Sequence, residues 1–270
     1  MQEIGSIENL DIKKIGTINY VGLYTLISKE VGRFVNVYSQ TIIAPVITAL
    51  LFFAVFALAF GDFPVVLSGV PYLEFLAPGL LMMTMVQNAF SNTSSSIVIA
   101  KVQGNIVDVL MPPLSALELW VGYVVGGLLR GLLIGIVAGA VLSFFVTISP
   151  VSFLHIIIFA VLGNMMLASL GLAAGLWSEK FDHIAAVTNF VVTPMTFLSG
   201  TFYSIEKLDE AWQAIAFVNP FFYMIDGFRY GFIGESDSSV GIGMVFLLFC
   251  NVILFLITLA MLKTGYKTKS

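Results

Sequence analysis

Long apolar runs separated by short polar connections constrain this chain more than any motif does. Six runs have the length of a membrane crossing: 41–60, 75–97, 117–146, 153–176, 185–201 and 240–262. A helix needs about 20 mostly apolar residues to cross a hydrocarbon core of about 30 Å. Its backbone polar groups can be satisfied there only within the helix. Composition excludes the soluble alternative. Only 10% of residues are charged and 59% are apolar, against about 25% charged in soluble domains. The runs therefore predict an all-α integral membrane protein with six transmembrane helices. The fifth run is short, and the third is longer than the core, which predicts a tilt or a projection at one end.

Six crossings put both termini on one side of the membrane, and the basic residues decide which. Lys13, Lys14, Lys29, Arg33, Lys101, Lys180, Lys263, Lys267 and Lys269 fall on the terminus side, and only Lys207 and Arg229 on the other. The positive-inside rule then makes both termini cytoplasmic. The first run begins near Thr41, too late for a signal peptide, and is expected to remain as an anchor. With Cys250 as the single cysteine, an intrachain disulfide is ruled out and no redox compartment can be read. A net charge of −4 without a basic cluster gives no sign of nucleic-acid binding.

The organisation that follows is a cytoplasmic lead (1–40), a six-span domain (41–262) and a short cytoplasmic tail (263–270). In the lead, Val21, Tyr24, Leu26, Ile27, Val31, Phe34, Val35 and Tyr38 recur mostly at helical intervals. They predict an amphipathic helix over 20–39 lying on the membrane surface, with or without a protein partner. The first inner loop, 99–119, alternates Lys101, Gln103, Asn105 and Asp108 with apolar residues. Gly104 weakens a continuous helix there and Pro112-Pro113 ends it. Ser115 and Glu118 have the spacing of a capping box for the next helix. The second inner loop, 177–184, is shorter. Such loops can dock a partner, and a compact bundle needs them in any case.

The outer segment, 202–239, begins with an apolar face of Ile205, Leu208, Trp212, Ile215 and Ala216, with Ser204 as a possible N-cap. After Asn219-Pro220 comes an aromatic stretch suited to the headgroup level, in which Asp226 and Arg229 are spaced to pair. No P-loop sequence is present, and His155, His183 and Cys250 are too scattered to suggest a metal site. No cofactor and no catalytic group are therefore expected on the chain. Arg130 sits inside the third run, where an arginine normally faces the bundle interior or water. Gln87, Asn88, Asn92, Asn164, Asn189 and Thr193 could partner it. It lines a translocation path or is a buried arginine satisfied locally. Glycines 122, 126, 127, 131, 135 and 139 give that run small-residue faces, which predict close helix packing.

Three stretches carry a resemblance: 74–97 with its Pro78-Gly79, 101–131, and Leu198-Ser199-Gly200-Thr201-Phe202-Tyr203 with Asn219-Pro220. They resemble the permease subunit of bacterial type-2 ABC exporters, in particular the inner-membrane permeases of the YadH type. The likeness covers nearly the whole chain. Ser204 departs from it, standing where many relatives carry proline, as does Asp209-Glu210, where a proline often starts the outer helix. The resemblance implies a half-transporter of the inner membrane: two copies of this chain with two separate ATP-binding cassette subunits, which hold ATP and magnesium. It implies ATPase coupling by Gln103, Gly104, Asn105 and Asp108, with Glu179 and Asp182 contributing. Arg130, Asn88 and Asn189 become candidates for the path, and Tyr203, Leu208, Trp212, Asn219 and Pro220 for an outer lid. The competing readings are an autonomous secondary transporter or channel, which would need paired titratable groups at mid-membrane, and a membrane scaffold.

Overall fold

The computed structural model of the chain describes residues 18–60, 69–147 and 149–267. Lys13, Lys14 and Lys269, with the ends of the expected lead and tail, lie outside the described residues. Every regular element among the described residues is a helix. In chain order they are α1 (Tyr20–Val35), a π turn (Ser39–Ile43) leading into α2 (Ala44–Phe60), α3 (Tyr72–Val102), α4 (Ile106–Leu110), α5 (Ala116–Leu142) and α6 (Phe153–Trp177). Then follow α7 (Phe181–Val187), a π turn (Thr188–Val192), α8 (Thr193–Phe197), a 3-10 turn (Ile205–Lys207), α9 (Glu210–Val218), α10 (Pro220–Ile233) and α11 (Val240–Thr264). Among the described residues, four helical stretches are long and apolar enough to cross a bilayer: Ser39–Phe60, Ala116–Leu142, Phe153–Trp177 and Val240–Thr264. The protein is an all-α integral membrane protein.

The other two runs behave differently. Run 75–97 lies within α3, whose 31 residues reach about 46 Å at about 1.5 Å each. The second run, and not the third, therefore forms the longest helix. Gln87, Asn88, Asn92 and Ser94 to Ser96 make α3 more polar than the four long apolar helices, and the surrounding bundle buries most of its surface. Run 185–201 is divided among α7, the π turn and α8. It ends in a turn where Gly200 adopts φ +71°, a backbone region that favours glycine.

Helix α3 is the axis of the fold, packed against α2, α5, α6 and α10. Glycines let the backbones approach. A Cβ at Gly127 would lie 3.1 Å from the Ala89 carbonyl oxygen, and one at Gly131 would lie 3.0 Å from that of Met85. On α6, Cβ atoms at Gly171 and Gly175 would press on the carbonyl oxygens of Phe90 and Ser94 at 2.4 and 3.0 Å. The glycine faces read from the third run thus serve packing on α3, and α6 supplies a matching set. Gly122 and Gly126 do something the sequence did not announce, because they seat Leu26 and Glu30 of α1.

Four expectations about outlying segments need correction. Ser204 does not cap a helix; its hydroxyl donates to Asp237 Oδ1 at 2.6 Å. The expected single outer helix is broken between the 3-10 turn and α9, which starts after Asp209. The aromatic stretch after Pro220 does not lie on the surface, since Phe221, Phe222, Tyr223, Met224, Ile225 and Phe228 are buried. Gly227 and Gly231 allow that burial by admitting Phe159 and Ile156 of α6. Nor do Asp226 and Arg229 bond directly. Arg229 faces Asp237 Oδ2 at 4.0 Å, while Asp226 accepts from the Asp237 N–H at 2.8 Å and from the Ser238 N–H and hydroxyl at 3.1 and 2.8 Å.

Substituting Gly171→Ala should lower the melting temperature of the detergent-solubilised chain. The loss expected from overpacking is about 1–3 kcal/mol, because the contact is with backbone. Gly139→Ala is the control. Its Cβ would meet only Leu81, at 3.6 Å, so its effect should stay within about 0.5 kcal/mol.

Candidate functional site

The bundle has two structured ends. At the first, α3 runs into a turn at Gln103, Gly104 and Asn105 and then into α4. Gly104 has φ +75°, and its conformational freedom lets the chain reverse direction there. Gln103, Gly104, Asn105 and Asp108 are all exposed, while Ile106 is buried as the anchor. The four sequence-predicted coupling residues therefore form one presented tip. Lys101, just before it, donates to the carbonyl oxygens of Leu176 and, at 3.0 Å, Ser178. That lysine ties the loop 99–119 to the loop 177–184. Glu179 and Asp182 are exposed beside it.

Glu118 fastens the start of α5 and of α1 together. Its carboxylate accepts from the Ser115 N–H at 2.6 Å and from the Asn19 N–H, while its own N–H donates to the Ser115 hydroxyl at 3.3 Å. The capping box read from the sequence is present, and it also anchors the lead helix. At the same end, Lys267 Nζ lies 2.8 Å from Glu179 Oε1. This hydrogen bond holds the Glu179 carboxyl below the usual carboxylate range.

Sequence reasoning missed Glu30. The amphipathic pattern placed the polar residues of α1 on its water side, yet Glu30 is fully buried between Leu26 and Phe34 on the face that meets α5. Its carboxylate accepts from the Ser96 hydroxyl at 2.6 Å and from Arg33 Nη2 at 3.2 Å. Arg33 also donates to the Asn92 carbonyl and side-chain oxygens at 2.6 and 2.9 Å, and to the Ser95 hydroxyl at 3.1 Å. The i,i+3 spacing of Glu30 and Arg33 was the available signal. The serine-rich turn of α3 was the matching half.

Deeper in the bundle, Arg130 is buried and its Nη2 donates to Asn88 Oδ1 at 3.0 Å. Two of the three residues proposed for a path therefore meet. Asn189 is exposed on the π turn and bonds to neither. At the second end, Ser199 to Phe202 in the turn 198–203 are buried, and the turn is internally bonded. The Ser199 hydroxyl pairs with that of Thr201 at 2.9 Å, and Gly200 O accepts from Arg229 Nη2 at 2.7 Å. The Arg229 guanidinium also stacks 3.6 Å over the Phe75 ring. Burial pushes the Asp226 carboxyl up to about 6.

Of the lid candidates, Tyr203 donates to Phe197 O at 3.2 Å. Tyr203, Leu208 and Trp212 line one cleft of about 270 Å³. Asn219 is buried; its amide donates to Met195 O at 2.7 Å and its oxygen caps α10 from the Phe221 N–H at 3.0 Å. Pro220 starts α10, where its missing N–H is not needed.

A family model described as ABC-2 type transporter matches residues 22–233, from the first turn of α1 to the end of α10. The chain belongs to the ABC-2 type transporter family. Similar proteins include the inner membrane transport permease YadH of Escherichia coli K12, which is 37% identical over 255 residues covering 93% of this chain and 98% of that protein. Nodulation protein J of Rhizobium leguminosarum bv. viciae is 30% identical over 100 residues, covering 37% of this chain and 39% of its own. The same-named protein of Rhizobium meliloti is 22% identical over 197 residues, covering 73% and 75%. This ABC-2 protein is a membrane permease subunit of an ABC transporter, and the exposed tip at 103–108 and the buried chain around Glu30 are parts of that permease.

Two outcomes follow for this end of the ABC-2 fold. Glu30→Ala should destabilise the chain by about 2–3 kcal/mol in detergent melts, below the range for a fully buried pair because Arg33 is 26% exposed. The Glu179–Lys267 bridge has a depressed acidic partner, so its contribution is complete above the ordinary glutamate pKa of about 4.3 and is lost as pH falls through the lower folded value. The hydrogen-exchange protection factor at 262–267, with the intrinsic exchange rate divided out at each pH, should therefore fall on acidification in the wild type. In Glu179→Gln that acid-induced loss of protection should be absent.

Proposed function

We propose that this chain is one half of the translocation pathway of an ATP-driven exporter in a bacterial inner membrane. Two copies form the path, and each couples through 99–113 to a separate ATP-binding cassette subunit that carries ATP and magnesium. The chain crosses six times, with α3 and the α7–α8 stretch as the second and fifth crossings, and both termini are cytoplasmic. The nine-to-two distribution of basic residues between the two ends supports this orientation.

The observation that carries the reading is the tip at Gln103 to Asp108. It is exposed and structured, lies in direct continuation of the most buried helix, and is tied by Lys101 to the second inner loop. A partner that moves this tip moves α3. Tyr72, at the far end of α3, donates its hydroxyl to Phe202 O at 3.3 Å, so displacement reaches the turn under α9. Nucleotide binding on the partner then favours one arrangement of the pair of permeases over the other, which is what coupling requires. Arg130, Asn88 and Asn189 line the path, and the α9 region with Tyr203, Leu208 and Trp212 closes its exit.

Affinity capture of the tagged chain should bring down a P-loop ATPase. Deleting 103–108, or Asp108→Arg, should abolish that capture, and Asp108→Arg should do so with the chain's melting temperature within about 2 °C of wild type, since Asp108 is exposed. Full retention of the ATPase by the deletion variant would overturn the docking assignment.

A further inference from the structure

Arg130 is a cation without a counter-ion. It lies in a membrane-spanning helix and is buried. Its one hydrogen bond goes to a neutral amide oxygen, that of Asn88 at 3.0 Å, and its Nε has no partner. Among the described residues no carboxylate forms an ion pair with it. The buried carboxylate of Glu30 is taken by Ser96 and Arg33. A buried charge left in this condition is strongly unfavourable, and an anion is the chemistry that relieves it.

Asn88 also connects Arg130 to open space. It lines a cleft of about 280 Å³ between α2 and α3. One part of the wall is polar, with Gln40, Thr48, Thr84 and Gln87. The rest is apolar, with Pro45, Ala49, Phe52, Leu80 and Met83. Among the described residues the Gln87 amide has no hydrogen-bond partner, and it is available as a neutral donor. Arg130 stands behind Asn88 and is not itself part of the cleft wall. It therefore acts on an anion there as a nearby positive charge in low-dielectric surroundings, and the apolar wall accepts methylene groups next to such a head.

We propose that the α2–α3 cleft binds the anionic headgroup, phosphate or carboxylate, of an alkyl-chain amphiphile, with Arg130 as its counter-ion. This names a substrate class and rests on the reading of the chain as a permease with Arg130 on its path. A phospholipid resident in the bilayer and a transported amphiphile share this chemistry.

The purified full-length chain in phosphatidylcholine nanodiscs should bind dodecyl phosphate at least tenfold more tightly than dodecyl phosphocholine. Arg130→Gln should reduce that preference to less than twofold, and Arg130→Lys should keep most of it. Thr48→Trp fills the cleft from its exposed wall without touching Arg130 and should weaken binding of dodecyl phosphate at least fivefold. Adding phosphatidylglycerol to the nanodiscs separates the sources. Displacement of the probe assigns the site to a resident lipid, and its persistence assigns the site to cargo; both support an anionic-headgroup site. Equal binding of the two probes, or unchanged preference in a folded Arg130→Gln or Thr48→Trp chain, would overturn it. No ATPase takes part in this measurement, so loss of the coupling reading would show separately, in the capture experiment.

Discussion

Backbone contact between α3 and its neighbours is the constraint on which the rest of the structure depends. In a bilayer, water does not drive helices together, so association relies on close van der Waals packing and on small residues that permit it. Gly127 and Gly131 on α5 and Gly171 and Gly175 on α6 bring those helices against the carbonyl groups of α3 from two sides. An axis enclosed in this way can carry polar residues that a lipid-facing helix could not. Asn92, Thr93, Ser94 and Ser96 are all buried on α3, and each either bonds to the backbone or meets the Glu30–Arg33 pair.

That axis also joins the two ends of the molecule. Its last turn leads into the Gly104 turn and α4. Its first turns are fixed to the turn 198–203 by Tyr72, by the ring of Phe75 beneath Arg229, and by Gly79, where a Cβ would sit 2.8 Å from the Thr201 carbonyl oxygen. The stretch around Leu198 to Tyr203 is thus a buried joint between α3 and α10. Helix α1 adds a second link: because Glu30 and Arg33 bind α3 near Asn92 and Ser96, the lead helix moves with α3 or gives up its hydrogen bonds to Ser96, Asn92 and Ser95. We regard the lead helix, α3 and α4 as one lever.

Much of this was legible in the sequence, and the reasons for success and failure are physical. Apolar runs gave the membrane class and located the helices because bilayer thickness imposes a length. The Ser115–Glu118 box and the effect of Gly104 are local backbone chemistry, which spacing alone reveals. Glu30 was not legible, because a charged residue in an amphipathic helix reads as solvent-facing until the partner surface is known. The burial of α10 escaped for a similar reason. Its aromatic, glycine-rich sequence suits a headgroup layer, and only the fit of Gly227 and Gly231 against α6 shows that it is core. Asn189 was grouped with Asn88 by composition; the π turn presents it at the surface, where it bonds to neither Asn88 nor Arg130.

The central claim is that nucleotide on a partner moves the far end of this permease through α3. Spin labels at Glu206, exposed next to α9, test it most directly once Cys250 is replaced by serine. Pulsed electron resonance between the two copies in the ATPase-bound complex should show one distance distribution without nucleotide and a clearly shifted one with ATP trapped before hydrolysis. An unchanged distribution, with the ATPase still bound and its nucleotide site occupied, would contradict the account.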